Sequence, residues 1–116
     1  MRTTQEVFES HIIYMLECNG EADISENYAP DCTILSNFGI FVGHEGILSY
    51  NKFIDEKLPS AEILFLNRAF CKEVAFLEWQ AESPNLYVDD GVQTYIIRQG
   101  LIHIQTIHFT IKIRTS

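Results

Sequence analysis

The chain has 116 residues, enough for one domain with its own hydrophobic core. Sixteen acidic against eight basic residues leave a formal charge of −8, with no Lys/Arg cluster. That balance excludes the basic contacts on which nucleic-acid and anionic-membrane partners depend.

The first helix is expected to start at Thr3 or Thr4, with Glu6 in its first turn favouring the positive end of the dipole. At helical spacing Val7, His11, Met15 and Cys18 share one arc, widened by Phe8, Ile12 and Leu16. Asn19-Gly20 should end it, because both residues tolerate a left-handed cap. A short second helix is expected from about Asp23 to Tyr28, with Asp23 as N-cap and Pro30 as its stop. A strand follows to Leu35, then a turn at Asn37-Phe38-Gly39 and a returning strand at Ile40–Val42. Gly43 opens a third helix whose apolar face is Ile47, Tyr50, Ile54 and Leu58, closed by Pro59.

From Ala61 the apolar period falls from 3.6 to 2. Ala61–Cys71 and Val74–Ser83 read as strands joined at Lys72-Glu73, with Trp79 inward and Glu78 outward. Pro84–Gly91 reads as a loop with an extended piece at Leu86–Val88. Val92–Arg98 is the next strand, and Gln99-Gly100 turns into Leu101–Ile113, the longest β-favouring run of the chain. Helices followed by long antiparallel strands make an α+β fold. The N-terminus lacks the basic cap and apolar run of a secretory signal, and no stretch nears the ~20 apolar residues of a membrane span. Cys18, Cys32 and Cys71 are odd in number and lack C-x-x-C spacing, so reduced thiols in a cytoplasmic protein are expected.

Several local motifs then fall into a familiar order. They are Asn19-Gly20-Glu21-Ala22-Asp23, Tyr28-x-x-Asp31, Gly43-x-x-Gly46-Ile47, Leu77-Glu78-Trp79-x-Ala81, Asp90-Gly91-Val92-x-Thr94, and Gly100-x-Ile102 followed by Gln105-Thr106. Together they resemble the nuclear transport factor 2-like superfamily and, within it, the SnoaL-like small proteins, over essentially the whole chain. The resemblance implies a single SnoaL-like domain, 1–116. Its form would be a cone-shaped, strongly curved antiparallel sheet wrapping a long N-terminal helix plus two shorter helices, a cystatin-like α+β roll with a cavity at its open end. It also implies a homodimer through the outer sheet face, to which Ile102 and Ile104 are assigned. The superfamily includes ketosteroid isomerases, polyketide cyclases, dehydratases and non-catalytic proteins, so the fold alone does not choose a chemistry. Counted from Tyr28, the general-base aspartate of the ketosteroid isomerases falls on Ser36. The cavity histidine of the cyclases falls nearest Gln105, with His103 two residues earlier.

The residues themselves add candidates. His11, on an apolar helix stripe, is either a core histidine satisfied by one neighbour or a cavity-facing general base. Asp31 is either turn chemistry or an acid/base group paired with His11. These two are the expected catalytic residues. Tyr28 and Tyr95 could donate to a carbonyl or enolate oxygen. Gln93 and Gln105, on neighbouring strands, are either a bonded amide pair or ligand-recognising groups. Trp79, Met15, Ile107 and Phe109 complete the expected ligand-binding set, with Val7 as further wall. No metal is expected, since His103 and His108 point to opposite strand faces and no three nitrogen or sulfur ligands converge. No cofactor is expected either.

The leading expectation is a protein binding a small, largely apolar organic molecule in a cavity, with cofactor-free isomerase, dehydratase or cyclase chemistry by proton transfer. The alternative is a non-catalytic dimeric binding or accessory module with a filled cavity. A nuclear-transport-like protein partner has only the fold behind it.

Overall fold

The computed structural model describes residues 1–115. Its elements, in chain order, are helices α1 (Thr4–Leu16) and α2 (Gly20–Asn27), strands β1 (Tyr28–Ser36) and β2 (Gly39–Val42), and helix α3 (Gly43–Lys57). Strands β3 (Glu62–Cys71), β4 (Val74–Glu82), β5 (Leu86–Arg98), β6 (Leu101–His108) and β7 (Lys112–Ile113) follow.

Helix α1 begins as its sequence dictates. The Thr3 hydroxyl accepts from the Glu6 backbone N–H, and the Glu6 carboxylate accepts from the Thr3 N–H, a reciprocal capping box. Its buried face is Val7, Phe8, His11 and Ile12; Met15 is half-buried, while Leu16 and Cys18 are exposed. The stripe stops short because the helix does. Cys18 adopts the left-handed conformation (φ 56°), and Asn19 caps α2 by accepting from the Ala22 N–H. Helix α2 therefore starts three residues earlier than expected. Asp23 lies inside it, one turn before Asn27, so that the two side chains share a face.

The sheet has seven strands in the order β2-β1-β6-β5-β4-β3, with β7 added to the far end of β5. It is curved, unclosed and mixed: β1 runs parallel to β6, and the other pairs are antiparallel. The expected all-antiparallel sheet is thus corrected at one pair, because α3 and the β3–β5 meander return the chain beside β1 in the same direction. Helix α3, with 15 residues, is longer than the 13 of α1, so the N-terminal helix is not the longest. Ile47, Tyr50 and Leu58 bury its predicted face.

Two strand readings change. Leu86–Gly91 is not a loop but the first half of a continuous 13-residue strand. Its Gly91 faces Trp79 so closely that a Cβ there would stand 2.4 Å from the indole ring. The predicted strand Leu101–Ile113 ends at His108 and resumes as β7. Within β6 the register slips: Ile96 pairs with Ile104 but Ile97 with Ile102, leaving His103 as an extra residue. That bulge reverses the side-chain alternation. Ile102, expected on the outer face, is fully buried, whereas Ile104 stays 37% exposed. One apolar core of helix and inner-sheet residues results, and each fully buried Phe or Ile in it contributes about 1.5–3 kcal/mol.

Candidate functional site

Five buried polar side chains, His11, Asp23, Asn27, Gln93 and Gln105, are joined with two tyrosines into one chain of hydrogen bonds. His11, on the middle turn of α1, is 3% exposed. Its Nδ1 lies 2.7 Å from Oδ2 of Asp23 on α2, which is 5% exposed. A carboxylate only accepts, so Nδ1 carries the hydrogen. On the other side of the ring, Nε2 stands 3.1 Å from the Tyr95 hydroxyl on β5. Tyr95 donates to Oε1 of Gln93 in the same strand. Gln105 on β6 donates from Nε2 to that oxygen at 3.1 Å, and the Tyr28 hydroxyl donates to Oε1 of Gln105. The His11 ring also meets the edges of Tyr28 and Tyr95, with centroids 5.8 and 5.3 Å away.

Tyr95 has a single O–H, and with it given to Gln93 its oxygen is left as an acceptor toward His11 Nε2.

Burial, reinforced by the nearby Asp23 charge, holds the hydroxyls of Tyr28 and Tyr95 well above the ordinary tyrosine range. Both remain O–H donors rather than bases. The carboxylate is supported from behind. Asn27, fully buried, donates from Nδ2 to Asp23 Oδ1 (2.9 Å) and to the Ser10 hydroxyl (3.1 Å). Its Oδ1 accepts from Arg2 Nη1 at 2.7 Å. Strand β1 enters this site at Tyr28, whose carbonyl accepts from His44 Nε2 at 2.9 Å.

The predicted residues divide into three groups. His11, Tyr28, Gln93, Tyr95 and Gln105 come together. Trp79, Ile107 and Phe109 are buried with them, and Met15 packs at the edge of the core. Trp79 packs at a tilt against Phe109, with centroids 5.1 Å apart, and its buried Nε1 has no hydrogen-bond partner among the described residues. Asp31 is elsewhere. It is exposed on β1, within the stretch where β1 loses register with β6 between Tyr28 and Thr33, and His11 takes Asp23 instead. Sequence reasoning missed Asp23, Asn27 and Arg2. The i, i+4 pair Asp23/Asn27 was the available signal, hidden by reading Asp23 as a cap. Ser36 takes no part: its hydroxyl donates to the Gly39 carbonyl in the β1–β2 turn.

Two open hollows lie outside the core, one along the outer side of α1 and one beside Met1, Gln99 and Gly100; His11 borders neither. Among the described residues no helix is long and apolar enough to cross a membrane.

No family model matches the sequence, and no curated protein matches it. Solved structures do match. An NTF2-like protein of unknown function from Cytophaga hutchinsonii superposes with a TM-score of 0.74 at 15% identity, covering 95% of this chain and 92% of that one. TerC, co-crystallised with polyporic acid, gives 0.78 at 14% identity over 92% and 91%. A Mesorhizobium loti protein named for the SnoaL-like polyketide cyclases gives 0.69 at 11% identity over 91% and 98%. At these identities the likeness speaks to architecture alone. The chain has the cone-shaped α+β fold of NTF2-like and SnoaL-like proteins.

Proposed function

We propose that this protein binds a small carbonyl-bearing organic molecule in the interior of its cone and moves a proton on it without a cofactor. The observation that carries the reading is His11, held at both ring nitrogens by Asp23 and by Tyr95. Imidazole exchanges protons near neutral pH, and a carboxylate behind it orients the ring and supports the charge it gains. Tyr28 and Tyr95 each give their O–H to an amide carbonyl, of Gln105 and Gln93. A ligand carbonyl is the same kind of acceptor. By displacing one amide it would receive a tyrosine O–H beside the imidazole, the arrangement that stabilises an enolate. Trp79 Nε1, a buried donor lacking an acceptor, is a second point where a ligand oxygen would gain a bond. The aromatic neighbours of Trp79 suit an apolar body. Asp23 replaces Asp31 in this scheme, and the reaction is an isomerisation, dehydration or cyclisation.

One observation favours a second reading, a non-catalytic module with a filled interior. His11, Tyr95 and Gln105 are at most 3% exposed and, through Gln93, are joined to one another by hydrogen bonds. In either reading the exposed outer-face residues Leu64 and Ile104 suit a homodimer.

Ketones, enols and β-hydroxy carbonyl compounds should be screened with wild type, His11→Ala and Asp23→Asn, alongside native mass spectrometry for bound ligand and subunit number. Turnover is expected to fall by about 10²–10⁴-fold on loss of the imidazole. Equal turnover in all three proteins removes the dyad from any mechanism. An empty wild type that stabilises with none of the compounds favours the filled module.

A further inference from the structure

We infer that Asn27 and Arg2 are positioning residues, in which the Arg2 guanidinium fixes the orientation of the Asn27 amide and thereby aims the Asp23 carboxylate at His11. This rests on reading the His11–Asp23 pair as the reaction centre, and it extends that centre through two residues that touch no substrate.

The argument is one of donors and acceptors. A side-chain amide has one face that accepts and one that donates, and turning it over by 180° exchanges them at almost no steric cost. Asp23 Oδ1 accepts only, so it needs the NH₂ face of Asn27. Presented with the Oδ1 face, it would meet a second acceptor in a site with no water-like dielectric to soften the repulsion. What prevents the turn is Arg2. A guanidinium donates only, and its Nη1 sits 2.7 Å from Asn27 Oδ1. Arg2 is itself anchored, its Nη2 donating to the carbonyls of Glu26 (2.9 Å) and Gly100 (2.8 Å). The Gly100 bond ties it to the β5–β6 turn, so its head is placed by two separate parts of the fold. Ser10, on α1 one residue before His11, accepts the second hydrogen of the same NH₂ group. With both faces of Asn27 committed, Asp23 receives one donor on each oxygen: Asn27 on Oδ1 and His11 on Oδ2. A carboxylate so bracketed keeps its plane and its distance to the imidazole. Arg2, 25 residues from Asn27 in sequence, would have no reason to meet it here for packing alone, since an apolar pair fills the same volume without desolvating a cation.

The test reads the His11 Nδ1 proton directly, by NMR of protein labelled with ¹⁵N at histidine. Held between ring and carboxylate, that proton is expected to exchange slowly with water in wild type. Arg2→Met and Asn27→Ala should each speed its exchange by about tenfold or more, the weight of one charge-assisted hydrogen bond. Arg2→Lys, which keeps a cationic donor, should lie closer to wild type. Asn37→Ala is the control for general loosening: it removes two side-chain bonds to the Phe109 backbone, which are not part of the hydrogen-bonded run that holds the dyad, and should leave the His11 signal unchanged. The inference is overturned if wild type shows no slowly exchanging Nδ1 proton, if folded Arg2→Met exchanges like wild type, or if Asn37→Ala speeds exchange equally. Should Asn27→Ala fail to fold, Arg2→Met decides alone. No compound enters the measurement, so a protein with no turnover but with the expected exchange pattern loses the catalytic reading and keeps this one.

Discussion

The interior of the cone is built in two ways. Beneath α1 and α2 it is polar: Arg2, Asn27, Asp23, His11, Tyr95, Gln93, Gln105 and Tyr28 form a continuous run of hydrogen bonds. Toward the β1–β2 turn and α3 it is aromatic and runs out to the surface. The exposed Phe38 packs on the half-buried Phe53 and on buried Phe109, Phe109 on Trp79, and half-buried Phe41 on Tyr50, at centroid distances of 4.9–5.3 Å. The first region is specified by direction, since each donor must meet one acceptor and a misdirected group forfeits its bond. The second is specified by shape, since aromatic rings tolerate several mutual angles but not a lost or added volume. Damage should therefore differ in kind between them: all-or-none in the polar region and proportional to volume in the aromatic one.

The largest effect is expected at Asp23. Asp23→Ala removes the partner of a buried imidazole and strands Asn27 as well, and it should destabilise folding by about 3–5 kcal/mol. Asp23→Asn, which keeps the shape but reverses part of the donor pattern, should lie much nearer to the alanine variant than to wild type. Urea denaturation of the three proteins measures both. A near-neutral Asp23→Asn would break the comparison, because it would mean that volume, not bond direction, holds this region.

Next in size is Gly91→Ala. A methyl group at Gly91 would stand 2.4 Å from two atoms of the Trp79 ring and 2.8 Å from its carbonyl oxygen. The ring must move, and Phe109 with it, at about 1–3 kcal/mol for an overpacked core. Pairing the change with Trp79→Phe, which withdraws the second ring of the indole, should return part of that loss. Chemical denaturation of the single and double variants gives the coupling, and strict additivity would show that the aromatic region is looser than its contacts imply.

These same residues show where sequence is a sufficient guide. The start of α1 at Thr3 or Thr4, with Glu6 in its first turn, is local chemistry and was readable from four consecutive residues. So was the inward face of Trp79, His11 and Gln105, which follows from period alone. What escaped depends on neighbours in space. Asp89-Asp90-Gly91 has the composition of a turn, yet Gly91 is a strand residue whose missing side chain makes room for an indole twelve residues away. Asn19 tolerates a left-handed conformation and also caps helices. Which role it takes is settled by Cys18 accepting the left-handed turn instead, and only then does Asp23 rotate toward His11. The parallel pairing of β1 with β6 and the bulge at His103 are likewise set by distant strands, so Ile102 could not be placed by parity. Hence the imidazole was found and its carboxylate was not.

The smallest effect, absent at neutral pH, separates the two regions by titration. Tyr28, Tyr95 and Tyr50 all have hydroxyls raised above the ordinary value of 10.0, chiefly by burial, and the first two also by the Asp23 charge. A tyrosine whose folded pKa is raised keeps its full contribution below the unfolded pKa and loses it as pH climbs from there toward the folded value. Stability should accordingly be level to about pH 9–10 and fall above it. The buried Cys32 thiol, also raised by burial, adds to the same limb from about pH 9. The regions part company in the variants. Tyr95→Phe removes an ionisable group and also two contacts of the directional run, so it should lower stability at pH 7 while flattening the alkaline fall. Tyr50→Phe, in the aromatic region, should flatten the fall with little change at pH 7, because its ring packing against Phe41 survives. Thermal melts from pH 7 to 11 distinguish the two. If Tyr95→Phe is as harmless at neutral pH as Tyr50→Phe, the bonds around His11 carry no more weight than ring contacts, and the polar region is core rather than site.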